Sequence, residues 1–109
     1  MIITYHLFNM IPEHCINIFK ERFGVYPSVT NMEPPFDDKM LDRILSNKYH
    51  TIWYERFIDS EGIKHDKNLL KEFDTTGILL YTNENGNIFI LSMSNKQDIV
   101  DYTIQQLKK

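Results

Sequence analysis

The residue with the greatest capacity for chemistry is Cys15, the only cysteine in the chain. It lies near the start of a segment with helical spacing, in which Pro12 marks the first turn. A thiol in the first turn of a helix faces unpaired N–H groups, which lower its pKa and favour the thiolate. His14 is adjacent and His6 precedes it, so one hypothesis is a small enzyme with Cys15 as nucleophile and His6 or His14 as base. In the alternative interpretation, Cys15 is a small buried residue on the core-facing side of the helix.

Neither a metal site nor a cofactor is predicted. No pair of histidines has the i, i+4 spacing of a zinc-binding helix. The four histidines of the chain are His6, His14, His50 and His65. The acidic residues within 59–66 do not continue the spacing of a calcium loop. With only four glycines, the chain also lacks a phosphate-binding loop.

Residues 25–38, VYPSVTNMEPPFDD, contain three of the four prolines together with large apolar side chains. A connection of this length in so small a domain is typical of a functional loop, and its prolines reduce the entropy lost on binding. We therefore predict a preorganised surface for a protein partner, with apolar contacts from Tyr26, Met32 and Phe36. The alternative is a connector packed over the core, with a short edge strand around Val25–Val29.

Two further groups complete the predicted partner-binding set. Segment 49–57, YHTIWYERF, is rich in aromatic residues and contains an arginine, the residue types enriched at interface hot spots. Tyr54 and Arg56 are its predicted contact residues, and the alternative, which the composition favours, is that the segment packs in the core. Asp37 and Asp38, with the acidic residues of 59–61, would steer a basic partner, and Asp37 or Asp38 also suits a helix N-cap.

The hydrophobic patterns predict the elements that must position these residues. Strands are predicted at 2–8, 51–58 and on both sides of a hairpin in 77–93, with 51–58 buried on both faces. Helices are predicted from Pro12 to Gly24, after Asp37, and after a capping box at Ser94, with two helical turns at 66–73. The expected fold is a single α+β domain, residues 1–109, in the order β-α-α-β-(α)-β-β-α. Its sheet has four strands, mostly antiparallel or mixed, with helices packed on one face.

The hairpin carries the clearest local signal in the sequence. Asn85-Gly86 between two apolar runs indicates a two-residue type I′ turn, because both central residues must accept a positive φ. That turn predicts a register with Leu80 opposite Leu91 on one face of the sheet, and Tyr81 and Ile90 on the other.

Composition narrows the classes of function. The net charge of −3 is the wrong sign for a protein that grips a nucleic-acid backbone, and no apolar run is long enough to span a bilayer. A single cysteine and the absence of a basic leader segment predict a cytoplasmic protein. The chain has 14 isoleucines and no alanine, a composition typical of an AT-rich genome such as that of a phage or mobile element.

Together these features predict a small protein-binding module. It would act as an inhibitor of a partner protein, of the toxin-immunity or phage anti-defence type. A third hypothesis is a homodimer formed through an open sheet edge, at strand 88–94 or strand 2–8.

Overall fold

The computed structural model describes residues 10–32, 38–46, 49–73, 77–83, 86–93 and 97–108. In these ranges the chain forms three helices, α1 (Glu13–Phe23), α2 (Asp38–Leu45) and α3 (Gln97–Lys108). The five strands are β1 (Ser28–Asn31), β2 (His50–Ile58), β3 (Lys64–Glu72), β4 (Leu79–Thr82) and β5 (Ile88–Ser92). They form one antiparallel sheet in the order β1-β5-β4-β3-β2, so the fold is α+β.

Helix α1 begins and ends where the sequence predicts. Pro12 immediately precedes its first residue, and the Pro12 carbonyl accepts the N–H of Cys15 at 2.9 Å. Gly24 ends the helix with φ +78, a left-handed conformation that glycine adopts without steric cost, and donates its N–H to the Lys20 carbonyl. The strand predicted at 2–8 lies outside the described residues.

Helices cover both faces of the sheet, so the prediction that they pack on one face is wrong. Every residue of β4 and β5 is buried, and adjacent residues of a strand point to opposite faces. Helix α1 covers the face that contains Cys15, Phe19, Leu70, Leu79, Tyr81, Phe89 and Leu91. Helices α2 and α3 cover the opposite face, with Met40, Ile44, Ile78, Leu80, Ile88, Ile90, Val100 and Leu107. Two apolar sets in each central strand require this double coverage.

The strand count also departs from the prediction, with five strands in the described residues instead of four. Residues 66–73 belong largely to β3, where two helical turns were expected. Leu70 packs on the face of the sheet that α1 covers. Its neighbour Lys71 is paired with Leu80, which lies on the face covered by α2 and α3. Adjacent residues on opposite faces are typical of an extended chain. Pairing with β2 and β4 therefore outweighs the local helical pattern. Strand β1 (Ser28–Asn31) corresponds to the short edge strand that the alternative interpretation placed around Val25–Val29.

The β4–β5 register differs by one residue from the expected one. Leu79 pairs with Leu91 and Leu80 with Ile90, because the loop between Asn83 and Asn87 has three residues and not two. Gly86 has φ +81, and its N–H donates to the Asn83 carbonyl at 3.0 Å, as in a turn followed by a left-handed residue. A one-residue slip moves a side chain to the other face, so Leu91 lies on the α1 side and not with Leu80.

Strand β5 is internal, between β1 and β4, so segment 88–94 does not provide the open edge that one homodimer hypothesis required. Within the described ranges, no helix combines the length and the apolar character needed to cross a bilayer.

Candidate functional site

Cys15 lies against the sheet with none of its surface exposed. Burial, and to a lesser extent the nearby Glu55 carboxylate, raises the pKa of its thiol to about 12. Both effects disfavour the thiolate, and they outweigh the helix N-terminus that the sequence analysis took to lower this pKa. The thiol is therefore protonated at neutral pH, which does not support a nucleophilic role.

The structure does not place a predicted base, among the described residues, where it could deprotonate Cys15. His14 is exposed and its ring packs against Trp53, with centroids 5.7 Å apart, and no hydrogen bond joins it to Cys15. His6 lies outside the described residues. Across the described residues, no group of three or more His, Cys, Asp or Glu side chains is placed to hold a metal ion.

A chain of polar side chains crosses three strands beneath α1. The Tyr81 hydroxyl donates to Asn68 Oδ1 at 2.7 Å, and Asn68 Nδ2 donates to Glu55 Oε2 at 2.7 Å. Tyr81 and Asn68 are buried, so these bonds supply the partners that buried polar groups require. This network was not predicted, because the helix expected at 66–73 does not align Asn68 with Tyr81 as the strand does.

On the opposite face, Lys71 is buried and its ammonium donates to the Ser46 carbonyl at 2.8 Å, just beyond the end of α2. Burial lowers the pKa of this lysine. A cation at a helix C-terminus complements the carbonyls that lack partners there. Nearby, Arg43 donates to the Leu107 carbonyl at 2.6 Å. Both bonds hold α2 in place. Lys71 and Arg43 therefore have a structural role, which explains their charged side chains without a catalytic function.

The predicted partner-binding residues lie on two separate parts of the sheet. Tyr26 is 59% exposed, just before β1, with the Lys20 ammonium 4.8 Å from its ring centroid. Tyr54 and Arg56 lie on β2, four strand spacings or about 19 Å from β1. Met32 is buried in the core and does not share an exposed surface with Tyr26. Asp38 is the first residue of α2, whereas Phe36, Asp37 and the side chain of Asp38 lie outside the described part of the chain.

Tyr54 and Arg56 form one preorganised unit. Arg56 donates to the Tyr54 hydroxyl through Nη2 at 2.8 Å and through Nε at 3.2 Å, and its guanidinium lies 5.0 Å from the ring centroid. Side chains two residues apart on a strand share a face, so Ile58 continues the same row. Ile58 is 63% exposed, although the sequence analysis expected 51–58 to be buried on both faces.

The β2–β3 hairpin extends this row away from the body of the sheet. Strand β3 pairs with β2 along most of its length, but among the described residues β4 pairs only with its second half, Leu69–Glu72. The first half, Lys64–Asn68, therefore pairs with β2 alone. The turn is closed by Asp59, whose N–H donates to the Ile63 carbonyl at 3.0 Å and whose Oδ1 accepts the Glu61 and Ile63 N–H groups at 2.9 Å. This turn leaves Ile63 53% exposed at the end of the hairpin. Ile58 pairs with Lys64 and Asp59 lies opposite Ile63, so the Ile63 side chain is on the other face of the hairpin from Tyr54, Arg56 and Ile58. We define the hairpin surface as the end of this hairpin, with the row Tyr54, Arg56 and Ile58 on one face and Ile63 at the turn.

The positions of the two isoleucines in the sequence are themselves a signal of exposure. Ile58 and Ile63 immediately flank the DSEG turn, where a hairpin end projects and few neighbours are available to bury a side chain.

Comparison with known protein families, with curated proteins and with solved structures gave no match to this chain. Function is therefore inferred from the residues and their geometry alone.

Proposed function

We propose that this chain is a protein-binding module that contacts its partner through the hairpin surface. The observation that carries the proposal is the pair of isoleucines, each more than half exposed, at the end of a hairpin that also presents the Tyr54–Arg56 unit. Tyrosine and arginine are enriched at interface hot spots, and their mutual contacts reduce the side-chain entropy that binding would otherwise cost.

Energetics favour a partner at this end of the molecule. Full burial of an isoleucine side chain is worth about 1.5–3 kcal/mol, so covering the exposed parts of Ile58 and Ile63 contributes on the order of 2–3 kcal/mol. Glu61 is exposed beside them, which adds an acidic group at the rim of the surface. That charge suits a partner with basic residues around an apolar contact.

Inhibition of the partner, of the toxin-immunity or phage anti-defence type, belongs to the same proposal. It is supported by the small size of the chain, by the alanine-free and isoleucine-rich composition, and by the burial of the one candidate nucleophile, Cys15. Under this proposal the chain blocks its partner by covering part of the partner's surface, without chemistry of its own.

Affinity capture from the source cell, read by mass spectrometry, tests the proposal. The wild type is expected to enrich one protein in stoichiometric amount, and an Ile58→Ser/Ile63→Ser variant is expected to lose it, because the apolar contact is removed. The matched control is Leu45→Ser/Tyr102→Ser, which changes two similarly exposed residues on α2 and α3. Retention of the protein by the hairpin variant, or no stoichiometric protein with the wild type, contradicts the proposal.

A further inference from the structure

The end of β1 lies beside a cavity of about 270 Å³, at the opposite end of the sheet from the hairpin surface. Asn31, Met32, Ile104 and Lys108 line the cavity. Cavities for whole small-molecule ligands are typically about 300–1,000 Å³, so this space is of the size that suits one or two side chains of a larger molecule.

Hydrogen-bond geometry shows which backbone groups of β1 point away from β5. Met32 donates its N–H to the Ile88 carbonyl at 2.9 Å, and hydrogen-bonded and non-hydrogen-bonded pairs alternate along an antiparallel ladder. Asn31 therefore directs its N–H and C=O away from β5. Asn31 is exposed, and no hydrogen bond within the described part of the chain engages it, whereas the equivalent position Val29 is buried. The accessible part of this edge is thus at Asn31.

The cavity walls combine two apolar side chains with one charged side chain. Met32 is buried and Ile104 is half-buried, so they provide an apolar floor. Lys108 is exposed at the end of α3, and its ammonium makes no ion pair within the described residues. An apolar pocket with a few convergent polar groups is the usual form of a binding site.

We infer that this site receives an extended, acidic segment of a protein partner. One residue of the segment pairs with the Asn31 N–H and C=O as an added strand, the binding mode of exposed sheet edges. A neighbouring glutamate places its aliphatic stem on Met32 and Ile104 and its carboxylate at the Lys108 ammonium. Charge complementarity selects an acidic segment, and the backbone groups of Asn31 select an extended peptide over a free carboxylate.

The inference relies on the proposed function only for the class of ligand, a protein segment. The two surfaces are about 19 Å apart across the sheet, so each binds or fails to bind independently. Peptide binding to the isolated chain does not involve the hairpin surface, and its failure is therefore distinguishable from failure of the capture experiment.

An NMR titration of the full chain tests the site with a capped pentapeptide, Thr-Val-Glu-Val-Thr, and its analogue with glutamine in place of glutamate. The glutamate peptide is expected to shift the Asn31 amide and Ile104 methyl signals, with about fivefold weaker binding of the glutamine peptide because an exposed ion pair is lost. No shift at these two signals up to about 5 mM peptide, or equal affinity for both peptides, overturns the inference.

Two variants separate the backbone and charge contributions. Asn31→Pro removes the side chain and an N–H that points away from β5, a position where an edge strand tolerates proline, and it is expected to abolish the shift of the Ile104 methyl signal, the readout that this variant retains. Asn31→Ala keeps that N–H and is expected to retain this shift. Lys108→Gln, at an exposed helix end, is expected to weaken the glutamate peptide about fivefold and to leave the glutamine peptide unchanged. Wild-type binding by Asn31→Pro, or equal effects of Lys108→Gln on both peptides, refutes the site.

Discussion

At pH 8 the folded protein is expected to react with a thiol reagent at Cys15 about a thousandfold more slowly than the unfolded chain. The reason is the raised pKa of about 12 against an ordinary value of 9.0, which reduces the thiolate fraction by about three powers of ten at this pH. Full burial of the thiol adds a steric barrier. The measurement is the labelling rate under native conditions and in denaturant, with the intact mass as readout. Rapid labelling of the folded protein would restore Cys15 as a candidate nucleophile.

The same pKa shift predicts how stability depends on pH. Because the folded-state pKa lies above the unfolded-state pKa, the unfolded thiol ionises first as the pH rises through 9, and the free energy of unfolding then falls. At pH 7, well below both pKa values, the thiol is protonated in both states and contributes almost no slope. Between pH 7 and pH 10 the wild type is expected to lose about 1.4 kcal/mol more than Cys15→Ala, which has no thiol to ionise. Parallel pH profiles of the two proteins would contradict the buried, protonated thiol.

Replacing Leu79 or Leu80 by alanine is expected to lower the free energy of unfolding by about 2–5 kcal/mol in each case. The two residues are neighbours on β4 and both are fully buried, Leu79 beneath α1 and Leu80 beneath α2 and α3. Each substitution leaves a cavity in a different cluster. Chemical denaturation of the two variants measures the loss.

This pair of substitutions distinguishes the two possible arrangements of helices. If helices covered only one face, as the sequence analysis expected, one of the two leucines would be in contact with solvent and its replacement would cost little. Ile63→Ala is the matched control, since that side chain is already half exposed and its loss is expected to cost less than 1 kcal/mol, roughly the range of surface substitutions. A small effect at either leucine contradicts a sheet covered on both faces.

Local patterns predicted α1, with its proline start and glycine end, because helix boundaries depend on nearby residues. The same patterns misassigned β3, since the leucines of 66–73 suit either a helix or a strand, and only pairing with β2 and β4 decides between them. The one-residue error in the β4–β5 register came from assuming a two-residue turn at Asn85-Gly86. In the structure Gly86 occupies the final position of a three-residue loop.

The candidate site was predicted only in part for related reasons. Tyr54 and Arg56 were recognised from residue type, and their mutual hydrogen bonds then follow from their two-residue spacing on one strand. Ile58 was misplaced because its exposure depends on where β4 ends, a property of the whole sheet. Of the two interpretations of Cys15, the small buried residue is confirmed, whereas the lowered pKa was inferred from the helix N-terminus, which is visible in the sequence while the burial of the thiol against the sheet is not.

The central claim is that the hairpin surface is where a partner protein binds, and site-specific photo-cross-linking tests it most directly. A photoreactive benzophenone amino acid replaces Ile63 in one variant and Tyr102, on α3, in another. Both side chains are 53% exposed, so the two probes have equal access to solvent. In the source cell, the variant with the probe at Ile63 is expected to yield one adduct of discrete mass that the variant with the probe at Tyr102 does not form. No adduct at Ile63, or the same adduct in equal yield from Tyr102, would contradict the account.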